Sequence, residues 1–402
     1  MREVNRSIVL TLIRLSQPIS RIDLAKQTNF SFSNVSEIAE ELLQDGLLIE
    51  TRAKPDGRGR VPMHLSINGG GYPVVAVSIR RAETTIALSG LSGEVLSSHQ
   101  ILTPEEPMDM VRGIRKAVRG FQKTELAGKD KLHKIGISVP GTVDALTGRV
   151  LFAPALPCYM DFPLAAEVQQ ATSVPTAAEN DCNLGAMADV WLSGFAVLAV
   201  NGFVFVEVGD VGVGGGIIIN RELYRGHDHH FAAEFGHMVV DPAGTVCQCG
   251  RRGCWELFIS DRATWQRYAP ARPFEPALIH ELIAAAHEGE TRALQALRTT
   301  ADYLSLGLSN IASALNPQRI ILSGHITGAL DLIAPSMAER FARERTQVEI
   351  RPARFTAEKL FVHGAIAMAL SELFGRPKLG IIAAPNRQQA DPRVARRSSG
   401  RG

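Results

Sequence analysis

The residues best equipped for chemistry lie between Glu234 and Glu256, a stretch reading E-F-G-H-M-V-V-D-P-A-G-T-V-C-Q-C-G-R-R-G-C-W-E. One histidine and three of the chain's five cysteines fall inside it, as His237, Cys247-x-Cys249 and Cys254. That is a complete Cys3His donor set for tetrahedral zinc, and Gly250 and Gly253 allow the tight backbone that points thiolates inward. Four protein ligands leave no open position, so the expected zinc is structural rather than hydrolytic. Ordinary buried cysteines beside a satisfied histidine are the alternative. The metal is favoured because all four ligands crowd into 18 residues of a chain otherwise nearly free of cysteine.

The pairing of E-x-G-H with C-x-C-G-x-x-G-C-x-E resembles the signature of the ROK family, whose members are sugar kinases, open reading frames and sugar-responsive repressors. The resemblance implies that the zinc knot braces a sugar pocket. Glu234 and Glu256 would then accept hydrogen bonds from sugar hydroxyls, and His237 would hold zinc while lying against the sugar. Solvated surface carboxylates are the competing reading of the two glutamates.

These residues need a large scaffold, and a chain of 402 residues can build two or three domains. With 45% apolar and 21% charged residues it has the composition of a soluble globular protein. A net charge of +2 offers no global attraction for nucleic acid. Few cysteines, mostly clustered, fit a reducing compartment better than a disulfide framework. The start M-R-E-V-N-R lacks a signal peptide's apolar run, and no 18 uncharged apolar residues run together. A cytoplasmic protein without membrane contact is expected.

The N-terminal 70 residues read as a DNA-binding module. Val4, Ile8, Leu12 and Leu15 share one helical face, and Ser20 with Asp23 opens a second helix. A turn at Thr28-Asn29-Phe30 leads to a third helix, capped by Ser31 or Ser33 and buried through Val35, Ile38, Ala39, Leu42 and Leu43, with Asp45-Gly46 ending it. This is a helix-turn-helix, and it leaves Ser33, Asn34, Ser36 and Glu37 outward where a DNA reader approaches base edges. Strands Leu47–Ile49 and Val61–Ile67 would then flank a wing whose tip carries Arg52, Lys54, Arg58 and Arg60, suited to phosphates or a narrow minor groove. An ordinary three-helix bundle with a solvated basic loop is the alternative, since residues 1–70 carry nine Lys and Arg against eight Asp and Glu. The run G-R-G-R-x-P, with Val61 where relatives commonly have a second proline, resembles the repressor branch of the ROK family.

Beyond a linker at Asn68–Gly71, residues 71–380 are similar to a ROK sugar-kinase-like domain, with lobes at about 72–182 and 183–375 and a disordered basic tail at 381–402. The resemblance covers nearly the whole chain to about residue 375. It implies an α/β fold in which the winged helix-turn-helix precedes a two-lobed domain of the actin/hexokinase ATPase type. ROK kinases carry D-x-G-G-T-K on the first strand, where glycines admit ATP phosphates. Here the stretch is Ser78-Ile79-Arg80-Arg81-Ala82-Glu83, whose bulky arginines and added acid oppose a phosphate loop. Residues 135–141, ending in Pro140-Gly141, resemble the sugar-pocket loop, and Ala155 stands where relatives usually have asparagine. Asn180-Asp181-Cys182-Asn183 resembles N-D-x-N, in which the kinases' Asp is the general base. Asn180 and Asp181 are therefore expected at the sugar, Asp181 at a vestigial base position, and a helix N-cap is the simpler role. Gly209–Gly216 resembles a second phosphate loop, with Asp210 in place of a small hydroxyl residue.

The expected function is a sugar-responsive transcription regulator of carbohydrate uptake or catabolism genes, non-catalytic and binding a palindromic operator as a homodimer or homotetramer. An active sugar kinase with an appended DNA-binding domain, and a zinc-stabilised scaffold without a small ligand, are the other two readings.

Overall fold

The computed structural model describes residues 2–52, 63–126, 131–192, 202–220, 222–227 and 231–374. The chain divides into two compact units, Met1–Asn68 with the C-terminal end from Phe374, and Gly69–Leu373. Lys54, Arg58, Arg60 and the expected basic tail lie outside the described residues.

In the first unit, α1 (Arg2–Ser16) buries Ile8, Val9, Leu12 and Ile13, whose spacing wraps an apolar stripe round the helix. Val4 departs from expectation: it is 44% exposed, one turn before the buried stripe begins. A two-residue strand β1 (Ile19–Ser20) precedes α2 (Arg21–Thr28), and the Ser20 hydroxyl accepts from the Asp23 amide as the N-cap. The cap of α3 (Phe32–Gln44) is Ser31 rather than Ser33, accepting from the Asn34 amide at 3.3 Å. Strands β2 (Leu48–Arg52) and β3 (Met63–Ile67) pair antiparallel, and β1 adds to the far side of β3. Helix-turn-helix and three-stranded sheet together make a winged helix.

The second unit contains two sheets of the same topology. The first holds β4 (Val74–Ile79), β5 (Glu83–Ser89), β6 (Val95–Leu102), β7 (Lys134–Val139) and, beyond a small hairpin β8 (Thr142–Asp144) and β9 (Arg149–Phe152), β10 (Thr176–Asn180). Its order is β10-β7-β4-β5-β6. The second holds β11 (Gly202–Val208), β12 (Val213–Ile219), β13 (Glu222–Tyr224), β14 (Arg319–Gly324) and β15 (Glu349–Pro352), in the order β13-β12-β11-β14-β15. In each, an antiparallel meander is extended by two strands parallel to its first.

On the outer face of the first sheet lie α4 (Pro107–Thr124) and α5 (Leu164–Thr172), packed on Val75, Val77, Ile135 and Ile137. Each sheet's last strand leads into a helix of the inner layer: α6 (Asp181–Leu192) after β10 and α12 (Ala357–Phe374) after β15. These two cross so closely that a Cβ on Gly364 would stand 2.2 Å from the Leu184 carbonyl, which requires glycine there. The outer face of the second sheet is covered from α7 (Glu256–Ile259), α8 (Asp261–Tyr268), α9 (Leu278–His287), α10 (Thr291–Leu315) and α11 (Leu330–Glu344). Strands buried on both faces read as continuous apolar runs, which is why Val74–Ile79 and Ile320–Leu322 are legible as strands.

Candidate functional site

The β10–α6 junction gathers the first candidates. Asn180 caps α6 by accepting from the Asn183 amide at 2.9 Å, so the simpler expected role holds. The same side chain donates to the Gly141 carbonyl at 2.9 Å and to Asp181 Oδ1 at 3.1 Å, tying the Pro-Gly loop to the N-D pair. Burial raises the Asp181 carboxyl above its ordinary value, opposed by the Cys182 amide and by the charge of Arg80. Thr142, next to Gly141, acts on the Glu234 carboxyl in the lowering direction. Glu234 is itself raised, first by burial and then by repulsion from Glu256 and Asp181, with His237 acting the other way. Gly141, Asn180, Asp181, Glu234, His237 and Glu256 thus converge from both lobes. Asp181 and Glu234, buried carboxyls raised by desolvation, are suited to bonding the neutral hydroxyls of a ligand.

Glu179 was not singled out from the sequence, although it precedes the N-D pair. Its buried carboxylate takes the Arg225 guanidinium at 2.6 Å and the Asn183 side-chain amide at 3.0 Å. It thereby ties the first turn of α6 to Arg225.

The metal-type residues also converge. His237, Cys247, Cys249 and Cys254 each offer a donor atom, all within 4.8 Å of one another. Cys249 Sγ and Cys254 Sγ are 3.5 Å apart, and His237 Nδ1 is 3.6 Å from Cys247 Sγ. Tetrahedral zinc with Zn–S bonds of about 2.3 Å separates its sulfurs by about 3.8 Å, so the donor set fits the ion. Nδ1 faces the sulfurs, which leaves Nε2 on the opposite edge of the ring. Trp255 anchors the knot, fully buried, with its indole N–H donating to the Tyr303 carbonyl at 2.7 Å. Burying a ring of that size is worth about 4–6 kcal/mol by area, enough to fix Cys254 and Glu256 on either side of it.

The expected second phosphate loop is shorter than its glycines suggest. Gly214, Gly215 and Gly216 lie inside β12, not in a loop. A Cβ on Gly214 would stand 2.3 Å from Cys182 Sγ, and one on Gly216 2.8 Å from the Ala186 Cβ, so these glycines admit α6 against the sheet. The remaining turn, Gly209–Gly212, is occupied by charge. Asp210 joins Asp261 and His325, with His325 Nδ1 2.7 Å from Asp261 Oδ2. Negative charge at that turn opposes a nucleotide phosphate.

On the DNA-type module, Ser33 is exposed and Asn34 half-buried. Glu37 is exposed but ion-paired with Arg2 at 2.9 Å. Ser36 differs from expectation, because its hydroxyl is buried without a hydrogen-bond partner. Arg52 is exposed at the end of β2. Two exposed apolar side chains, Phe32 at 55% and Ile22 at 57%, were not anticipated. Each opens a helix of the pair, and apolar groups there can meet thymine methyls.

Twin sheets with helices between them, preceded by a winged helix, define a two-lobed sugar-kinase-like protein carrying a helix-turn-helix head. The chain belongs to the ROK family, whose family model matches residues 74–372. A xylose repressor of Caldicellulosiruptor bescii is 26% identical over 396 residues, 94% of this chain and 98% of its own. Among solved structures, a ROK family transcriptional regulator, a homologue of the E. coli MLC protein, is 27% identical with TM-score 0.79 over 95% of this chain and 98% of that one. A ROK family glucokinase from Streptomyces griseus, solved with glucose and AMPPNP, is 28% identical with TM-score 0.61, covering 74% of this chain and 98% of its own. The kinase therefore matches almost all of itself and leaves about a quarter of this chain without a counterpart.

Proposed function

We propose that the protein is a sugar-responsive DNA-binding transcriptional regulator, a repressor of carbohydrate uptake or catabolism genes whose sensor domain does no catalysis. The observation that carries this reading is the reach of the similarity: a repressor and a transcriptional regulator align over both units, whereas the glucokinase does not. The winged helix reads operator DNA through Ser33, Asn34 and the wing arginines, with Ser36 needing a side-chain turn to take part. Gly141, Asn180, Asp181, Glu234, His237 and Glu256 hold the hydroxyls of a sugar or sugar derivative. Zinc bound by His237, Cys247, Cys249 and Cys254 is structural, fixing the loop that presents Glu234 and Glu256.

Control of DNA affinity follows from linkage. A sugar that binds one arrangement of the homodimer or homotetramer better than another shifts the population by its differential affinity, about 1–3 kcal/mol in typical coupled systems. A small reading head needs two half-sites for useful affinity, so a change in subunit arrangement is enough to release DNA.

A sugar kinase with an appended head is the second reading, favoured by the retained Asp181 and by the glucokinase likeness. Titration calorimetry of the zinc-loaded protein with D-xylose, D-glucose and N-acetylglucosamine, with parallel ATPase assays, separates the two. The regulator gives heat with a sugar, abolished in Glu234→Ala and Glu256→Ala, and no sugar-dependent ATP hydrolysis. Hydrolysis lost in Asp181→Asn would establish the kinase instead.

A further inference from the structure

Three side chains able to hold a metal, outside the zinc knot and the sugar site, meet beyond the C-terminal ends of β11 and β14. Asp210 comes from the turn joining β11 to β12, Asp261 opens α8, and His325 directly follows β14. Each offers one donor atom, and the three atoms lie within 4.8 Å of one another. His325 Nδ1 and Asp261 Oδ2 are 2.7 Å apart, and Asp261 is only 2% exposed.

The main chain fixes all three. The Asp261 amide donates to the Gly209 carbonyl at 3.2 Å and the Arg262 amide to the Asp210 carbonyl at 2.9 Å, clamping the turn on the start of α8. Gly324 has φ of 100°, and a Cβ there would stand 2.0 Å from the Val208 carbonyl oxygen, so only glycine makes the bend that presents His325. The Thr327 hydroxyl braces that bend, donating to the Gly324 carbonyl at 2.8 Å. The His280 ring from α9 meets His325 edge-on, with centroids 4.7 Å apart.

Charge at this corner is unbalanced. Among the described residues no lysine or arginine forms an ion pair with Asp210 or Asp261, and His325 is the one ionic partner of Asp261. Glu207, three residues before Asp210, adds a buried carboxylate whose Oε2 has no hydrogen-bond partner. Buried charges are ordinarily paired or bound to metal, and one imidazole is a small countercharge for this group. Two carboxylates and an imidazole suit a first-row divalent ion such as Mn2+, Co2+ or Zn2+, the nitrogen setting them apart from an all-oxygen Mg2+ or Ca2+ site.

We propose that Asp210, Asp261 and His325 form a second metal site, separate from the Cys3His knot, which binds one divalent transition-metal ion at the head of the β11–β12 turn. The ion takes the place of the hydrogen between Nδ1 and Oδ2, leaving the imidazole neutral with its hydrogen on Nε2. Donor atoms about 2.1 Å from one ion lie about 3–4 Å apart, so the Asp261–His325 pair opens slightly and Asp210 closes in. Three protein donors leave further positions to water. The same turn reaches Glu256 at its other end, where a Cβ on Gly212 would stand 3.4 Å from Glu256 Oε2. A bound ion therefore fixes the backbone beside that carboxylate, although the site itself stands apart from the sensor reading.

Zinc-loaded full-length protein, its thiolates already occupied, is titrated with Mn2+ and followed by electron paramagnetic resonance. Mn2+ is lowest in the order of divalent affinities and does not displace zinc from thiolates. The free-ion signal should fall to an end point of about one Mn2+ per chain, and the bound ion should show spin-echo modulation from an imidazole nitrogen. Asp210→Asn should weaken binding by roughly 10-fold or more with zinc content and melting temperature unchanged. His325→Gln should weaken it as much and abolish the nitrogen modulation. Mg2+ in about tenfold excess should leave Mn2+ in place. No uptake of Mn2+, or uptake that either substitution leaves unchanged, overturns the proposal. Bound Mn2+ that lacks nitrogen modulation and yields to Mg2+ also overturns it, marking an adventitious ion on an acidic surface. The sugar titrations decide the sensor reading independently of these outcomes.

Discussion

The side-chain amide of Asn180 donates to the main-chain carbonyl of Gly141 at 2.9 Å, joining the β10–α6 junction to the Pro-Gly loop after β7. One residue therefore caps a helix, orients Asp181 and fixes the loop across from Glu234. Asn180→Ala is expected to weaken sugar binding by roughly 10-fold to 100-fold, the range for a hydrogen bond to a charged or buried group. Loss of the cap also lowers stability by about 1 kcal/mol, read as a small drop in melting temperature. Unchanged affinity would show that Asn180 serves the helix alone.

Glu207 gives a stability prediction with a defined pH window. Burial raises its folded-state carboxyl from 4.5 to about 7. The stability this group confers is therefore complete below its unfolded value of about 4.5 and is lost as pH rises through about 7. A shift of that size corresponds to at most about 3 kcal/mol. Glu207→Gln is expected to melt higher than the wild type at pH 8 and level with it at pH 4.5. A melting difference that does not vary with pH would contradict this.

The metal knot predicts about one zinc per chain by elemental analysis of protein purified without chelator. Cys254→Ser should lose most of it and lower the melting temperature on the order of 10 °C, given a few kcal/mol from a lost structural ligand in a domain of this size. Trp255→Ala, which removes the anchor but no ligand, should cost about 3–5 kcal/mol. Full zinc occupancy in Cys254→Ser would exclude that cysteine from the ligand set.

On the reading head, Asn34→Ala is expected to weaken operator binding by about 1–3 kcal/mol while leaving non-specific DNA affinity unchanged. Arg52→Ala should instead weaken both and reduce the salt dependence by about one counterion. Salt titrations of filter or mobility-shift binding separate these outcomes. Phe32→Ser tests the unanticipated apolar contact, which should show as lost preference for thymine at one position.

The knot and the helix pair were legible because their determinants are local. Four ligands between His237 and Cys254 need only two glycine turns to meet, and Ser20, Ser31 and Gly46 mark helix ends within a few residues. The limits of the reading are equally physical. Gly214–Gly216 looks like a phosphate loop in sequence, and only the proximity of Cys182 and Ala186 turns it into a packed strand. Val4 continues a helical period beyond the last partner able to bury it. Glu179 finds Arg225 46 residues away, and Asp261 finds His325 64 residues away, separations at which no spacing rule operates. Glu207 had no signal of its own: it stands out only because the second sheet repeats the first and gives it the strand position that Ser78 holds in the other.

The central claim is that a sugar controls DNA affinity, and a mobility shift on the gene's own upstream region tests it most directly. Purified zinc-loaded protein should retain that DNA against a large excess of non-specific competitor, and one sugar of a panel of sugars, sugar phosphates and polyols should change the apparent Kd at least 5-fold. The same sugar should have no effect on Glu234→Ala or Glu256→Ala. Failure to retain any DNA at low salt, with zinc occupancy confirmed, would contradict the account and return the kinase reading to first place.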